Sequence, residues 1–150
     1  MHKIHQRRKL QHAPEQLYQL VSDIERYPEF LPWCQQVKIL RRRDRSCDAR
    51  VTVGFKGIRQ AYQCRVVWNP EQCSIVVEYL SGPLADLHTC WTFHQGEEIG
   101  HCEVEFQLEF AMRNRLIGRL MDQVMLKAIE RMTDAFVQRA DALYRAIPIK

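Results

Sequence analysis

The sequence predicts an α+β fold in which a curved antiparallel sheet wraps around one long C-terminal helix. Three observations carry this reading. From Asn114 to Tyr144, apolar residues recur at helical spacing through Leu116, Leu120, Val124, Ile129, Phe136 and Leu143, with no proline inside. From Val37 to Met112 the apolar period is two, and Gly, Pro and Asn break it into short runs. A sheet with one apolar face must bury it, and only the last helix is large enough to cover it.

Lys3–Gln11 reads as a first strand, alternating weakly at Ile4 and Leu10. Ala13-Pro14-Glu15 opens a short helix, with proline in the first turn and an acid at the positive end of the dipole. Leu17, Leu20, Val21 and Ile24 form its buried face. The helix stops before Tyr27, because Pro28 drives the preceding residue into extended geometry. Tyr27 to Cys34 then sets four large side chains around two prolines, too short and rigid for a regular helix.

Ala49, Val51, Val53 and Phe55 alternate with polar neighbours up to a turn at Gly57. Ile58, Tyr62, Cys64, Val66 and Trp68 continue on the next strand to Asn69-Pro70, and Ser74–Leu80 forms another, closed by Ser81-Gly82-Pro83. Leu87, Thr89, Trp91 and Phe93 then face away from His88, Cys90, Thr92 and His94. The last strand is the most regular, with Cys102, Val104, Phe106, Leu108, Phe110 and Met112 opposed by Glu103, Glu105, Gln107 and Glu109. Short turns make these strands an antiparallel meander. Asn114 suits an N-cap, and a helix of about 30 residues is roughly 45 Å long. Charged residues interrupt its stripe, so it is amphipathic and does not span a membrane. A sheet curled around such a helix is a helix-grip architecture, and incomplete contact between the two leaves room for a ligand.

The 150 residues suffice for one well-buried core, and 1–150 is read as one domain. A net charge of +4 permits attraction to an acidic membrane or to RNA without requiring either. The first residues hold no apolar signal core and no run reaches membrane-spanning length, so a cytoplasmic protein is expected. Six scattered cysteines without a Cys-x-x-Cys pair fit reduced thiols. No Gly-x-Ser-x-Gly, His-Glu-x-x-His, phosphate-loop or dinucleotide fingerprint is present.

Several blocks of residues resemble one family, from about Lys3 to Tyr144. They are Tyr18-x-Leu20-Val21-x-Asp23 followed by Tyr27-Pro-Glu-Phe-Leu-Pro-Trp-Cys34, then Gly54-Phe-Lys-Gly57, Gly82-Pro83, Trp91-x-Phe93 and Phe136-x-x-Arg139-Ala140. Together they resemble the coenzyme-Q-binding family of START-like proteins, also described as cyclase/dehydrase-like. The resemblance implies a START-like helix-grip fold and non-enzymatic binding of ubiquinone or a similar prenyl lipid in support of respiration. That ligand is the only cofactor-like molecule implied. A bacterial branch acts as ribosome-association toxins, and its members often have Gly where this chain has Trp33, which tilts the expectation toward lipid. The chain departs from the pattern at Leu84, where relatives place Phe.

On this reading the cavity is lined by Phe30, Leu31, Trp33, Phe55, Trp91, Phe93, Phe106, Phe110, Leu120, Met121 and Val124. Periodicity alone makes the same side chains ordinary core, and the segment from Phe30 to Trp33 is either a lid or a plug. Arg41, Arg42 and Arg43 have no evident partner and are the candidate anion or membrane contact, on RNA in the ribosome alternative. Lys3, Arg7 and Lys9 are expected to face Glu103, Glu105 and Glu109, if the first and last strands are neighbours. His88, Cys90 and His94 share a strand face, but residues two apart lie about 7 Å apart, too splayed for zinc. No catalytic residue is assigned, and a cyclase or hydratase would have to work through Tyr62 or Tyr79.

Overall fold

A computed structural model describes the backbone of residues 2–55, 57–112 and 115–144, and the side chains of all of these but 2, 55, 58, 112 and 115–126. Seven strands form one sheet: β1 His2–Leu10, β2 Cys34–Arg42, β3 Ser46–Phe55, β4 Ile58–Asn69, β5 Ser74–Ser81, β6 Leu84–Gln95 and β7 Cys102–Met112. All neighbours are antiparallel, in the order β1-β7-β6-β5-β4-β3-β2. The described residues also form two α-helices, α1 at Pro14–Ser22 and the 30-residue α2 at Arg115–Tyr144. This is the helix-grip arrangement that the periodicities predict. The first and last strands are neighbours, with Arg7 opposite Glu105.

Proline begins α1 because its missing N–H would have had no helical partner. The Ala13 amide donates to Gln16 Oε1 at 3.0 Å, satisfying another donor at that end. Leu17, Leu20 and Val21 are buried, as their spacing requires. Ile24 is buried too, but on a separate 3-10 helix, Ile24–Glu29, which carries Pro28. The short helix therefore ends at Ser22, earlier than the sequence suggests. The tighter helix tolerates the proline and swings Tyr27 and Phe30 back over the core.

Alternation on the strands puts Cys47, Ala49, Cys64, Val66, Ile75, Trp91, Phe93, Val104, Phe106 and Phe110 on the buried face. Among the described side chains of α2, Ile129, Thr133, Phe136 and Ala140 are buried, a stripe at helical spacing. The C-terminal half of this helix is tied down by polar contacts. Arg8 pairs with Asp134 at 3.0 Å, His12 with Asp141 at 2.8 Å and Arg139 with Glu29 at 2.8 Å. The Tyr144 hydroxyl donates to the Gln16 carbonyl at 2.8 Å. The predicted N-cap, Asn114, lies outside the described residues.

Between β5 and β6 the chain turns at Gly82, whose φ is +145°. A Cβ there would lie 2.5 Å from the Tyr79 hydroxyl and 2.7 Å from Tyr62 Cβ. Both backbone angle and space therefore demand glycine. Gly82→Ala is expected to lower stability by about 1–3 kcal/mol, read from the shift in urea midpoint.

Candidate functional site

The concave face was expected to hold the ligand. Trp91, Phe93 and Phe106 stand together on β6 and β7, with 4.5 Å between the Trp91 and Phe106 centroids. Phe136 of α2 meets Trp91 edge-on at 5.4 Å, Phe30 at 5.2 Å and Tyr27 at 5.3 Å. The space left among these rings and α1 is about 30 Å³. That is room for about one water, against roughly 300–1,000 Å³ for a pocket that takes an organic ligand. At this end Trp91, Phe93 and Phe106 are packed core. Phe110 is buried farther along β7, at 1% exposure.

Phe30 and Leu31 behave as a plug. Leu31 is buried, and Phe30 packs on Phe136 with the Arg139 guanidinium 5.3 Å above its ring. Trp33 is half-buried and its carbonyl accepts the Gly54 amide at 2.9 Å. The side chains of Phe55, Leu120, Met121 and Val124 lie outside the described residues.

Toward β4 and β5 the same face carries Tyr62 and Tyr79, stacked with centroids 6.4 Å apart. The Tyr79 hydroxyl accepts the Leu84 amide at 2.9 Å. The Tyr62 hydroxyl has no hydrogen-bond partner among the described residues. Burial holds its phenol above the usual range, so it stays a neutral donor. Burial also pushes Cys34 up to about 11 and Cys64 up to about 12. These thiols are not nucleophiles at neutral pH.

The outer face divides into two unlike halves. On β1, β7 and β6 the charges cancel: Lys3 meets Glu109 at 3.7 Å, and Arg7 meets both Glu103 and Glu105 at 3.2 Å. Glu105 also receives His94 at 3.0 Å and His5 at 2.6 Å. These two imidazoles, with Arg7 behind them, hold its carboxyl down to about 2. Among the described residues no group of three His, Cys, Asp or Glu side chains is placed to hold a metal.

The other half, on β2, β3 and β4, is cationic. Arg65 and Arg43 both clamp Asp48, at 2.8 and 3.0 Å, and hold its carboxyl far below the usual range. The sequence reading left Arg41–Arg43 unpartnered, and this needs correction at two positions. Arg42 pairs with Glu25 and Arg43 with Asp48. Arg41 and Arg42 face opposite sides as successive strand residues do, and a register shift between Ile39 and Arg41 sets which of them faces outward. Arg41 returns to the outer face, beside Lys38. Lys38, Arg50 and Arg59 were not singled out from the sequence, where they are far apart. Register brings them together around an open groove of about 480 Å³, with Gln36, Thr52 and Gln60.

A sequence model of the family described as polyketide cyclase / dehydrase and lipid transport matches residues 10–137. The ribosome association toxin RatA of Pseudomonas aeruginosa is 35% identical, over 85% of this chain and 88% of its own. The mitochondrial coenzyme Q-binding protein coq10 of Schizosaccharomyces pombe is 26% identical, over 89% of this chain and 83% of its own. Among solved structures, an 18 kDa protein of Caulobacter crescentus is 31% identical with a TM-score of 0.79, over 96% of this chain and 99% of that one.

The Glu105 cluster sets an acid limit on the fold. Its carboxyl is lowered from 4.5, so its stabilisation is complete above about 4.5 and is lost as pH falls toward about 2. Denaturant midpoints measured across this window should fall with pH, and Glu105→Gln should flatten part of that fall.

Proposed function

The chain belongs to the polyketide cyclase / dehydrase and lipid transport family, and from that premise we propose that it associates with the ribosome as a non-enzymatic binding protein. The observation that carries this reading is the unbalanced charge of the outer face. A ribosome is chiefly polyanion, and the β2–β4 half offers cations that no carboxylate among the described residues engages. The 35% identity to a ribosome association toxin over most of both chains supports it. The concave face supports binding over catalysis, since its phenols and thiols are held protonated by burial.

The test is cosedimentation of the purified protein with ribosomal subunits. Binding is expected at low salt, falling by about tenfold or more between 50 and 200 mM, because phosphate contacts release counterions. Absence of the protein from the ribosomal fractions at low salt removes this reading.

A second reading is favoured by Tyr62. A neutral hydroxyl without a partner on an apolar face suits the carbonyl of a prenyl quinone, and the 26% identical relative is named for coenzyme Q binding. The lipid would lie between α2 and the β4–β5 end of the sheet. Organic extraction of the purified protein and mass spectrometry should then recover a quinone or other prenyl lipid, with less from Tyr62→Phe. An extract free of prenyl lipid, from a quinone-rich host, removes the second reading.

A further inference from the structure

We propose that the outer face of β2, β3 and β4 is a docking surface for the phosphodiester backbone of RNA, contacted by Lys38, Arg41, Arg50 and Arg59. This deepens the ribosome reading and rests on it: the partner becomes ribosomal RNA, not a ribosomal protein, and the surface becomes a defined part of the sheet.

Four observations converge on it. Lys38 and Arg50 are directly opposite each other in the β2–β3 register. Like charges in that position oppose folding, so the fold itself gives no reason to place them there. None of Lys38, Arg41, Arg50 or Arg59 reaches a carboxylate among the described residues, whereas Arg43 and Arg65 next to them are both held by Asp48. The register shift after Ile39 restores Arg41 to the outer face, in line with Asp48, which extends the cationic strip along β2. The groove between the strands is open and broad, about 480 Å³, and floored by Thr52 and Ala61, small enough to let a ribbon of phosphates lie against the strands.

The chemistry of the strip selects the backbone over the bases. Around the groove the described outward residues include Gln36, Lys38, Arg50, Thr52, Arg59 and Ala61, and none of these offers an aromatic ring on which a base could stack. Across the register shift Lys38 and Arg41 face Arg50 and Asp48, residues two apart on β3, so the two cations stand about 7 Å apart along β2, the order of the spacing between successive phosphates. Guanidinium groups pair with phosphate oxygens through two parallel hydrogen bonds, and Gln36 and Gln60 add amide donors at the rim. Such a surface reads charge and shape with little regard to sequence.

The experiment compares the full chain with the triple variant Lys38→Ala, Arg50→Ala, Arg59→Ala. A control removes equal charge elsewhere, with Lys3→Ala, Lys9→Ala and Lys127→Ala. Each is measured against purified ribosomal subunits, protein-free ribosomal RNA and phosphatidylglycerol vesicles, over a series of salt concentrations. The groove variant should lose about tenfold or more in affinity for subunits and for free RNA, and its salt slope should fall by about one per cation removed. The control should bind as the parent does. The groove variant should also melt no earlier than the parent, because it loses a repulsion, and this separates lost binding from lost fold.

Subunit binding that survives unchanged in the groove variant overturns the surface while leaving ribosome association intact. Binding to subunits but not to free RNA, with any effect of the variant confined to subunits, makes a ribosomal protein the partner and also overturns it. Binding to vesicles alone replaces RNA with a membrane. A parent that binds none of the three ends both this inference and the reading beneath it.

Discussion

The ring of Phe136 is the contact on which the rest of the structure depends. It meets Trp91 of the sheet and both Tyr27 and Phe30 of the connecting segment, all within 5.2–5.4 Å between centroids. A one-sided sheet has no stable existence until its apolar face is covered, and here α1, the 3-10 segment and α2 supply the cover. Phe136 is where sheet, helix and 3-10 segment are locked into one layer. The polar ties from Arg8, His12, Glu29 and Gln16 surround that contact and set the helix's angle across the strands. Their individual contributions are small because most are partly exposed. Together they leave the C-terminal half of α2 one position relative to β1 and α1.

Covering one face with helices leaves the other face to solvent, and the chain uses its two halves differently. Where β1 closes onto β7, the charges alternate in sign across the strands and cancel in pairs. Where β2, β3 and β4 run to the other edge, they do not. The net charge of the whole chain is only +4, so its balance conceals a polarised surface. A modest overall charge is thus compatible with a strong local field. The concave face, by contrast, carries almost no ionised group, and burial keeps its phenols and thiols neutral.

Much of the fold was legible because period two and period 3.6 are easily told apart over long stretches. Cys102 to Phe110 on β7 and the Ile129–Ala140 stripe on α2 lie where alternation puts them. Once the architecture makes the first and last strands neighbours, their opposite charges were legible as pairs, as at Arg7 and Glu105. What escaped depends on register and on volume. Arg42 finds Glu25, and Lys38 finds Arg50, only after a shift near Leu40 that no local pattern announces. Ile24 moved to a 3-10 helix because Pro28 sits inside that helix instead of ending it. Periodicity says which side a ring faces but not how tightly its neighbours close, so it could not show that Trp91, Phe93 and Phe106 leave only about 30 Å³ between them. Glu105 was placed on the outer side correctly, yet His5, Arg7 and His94 across the strands and Gln107 on its own strand enclose it so far that it is 9% exposed.

The register shift in β2 has a bearing on how copies of this protein meet one another. Among the described residues β2 ends the sheet, and such a margin offers unpaired amides and carbonyls to any similar strand. Two such margins brought together would set Lys38 and Arg41 of one copy against those of the other. The shift also breaks the straight ladder that edge-to-edge pairing needs. The same side chains that would attract a polyanion to this border therefore oppose its pairing with the same border of a second copy.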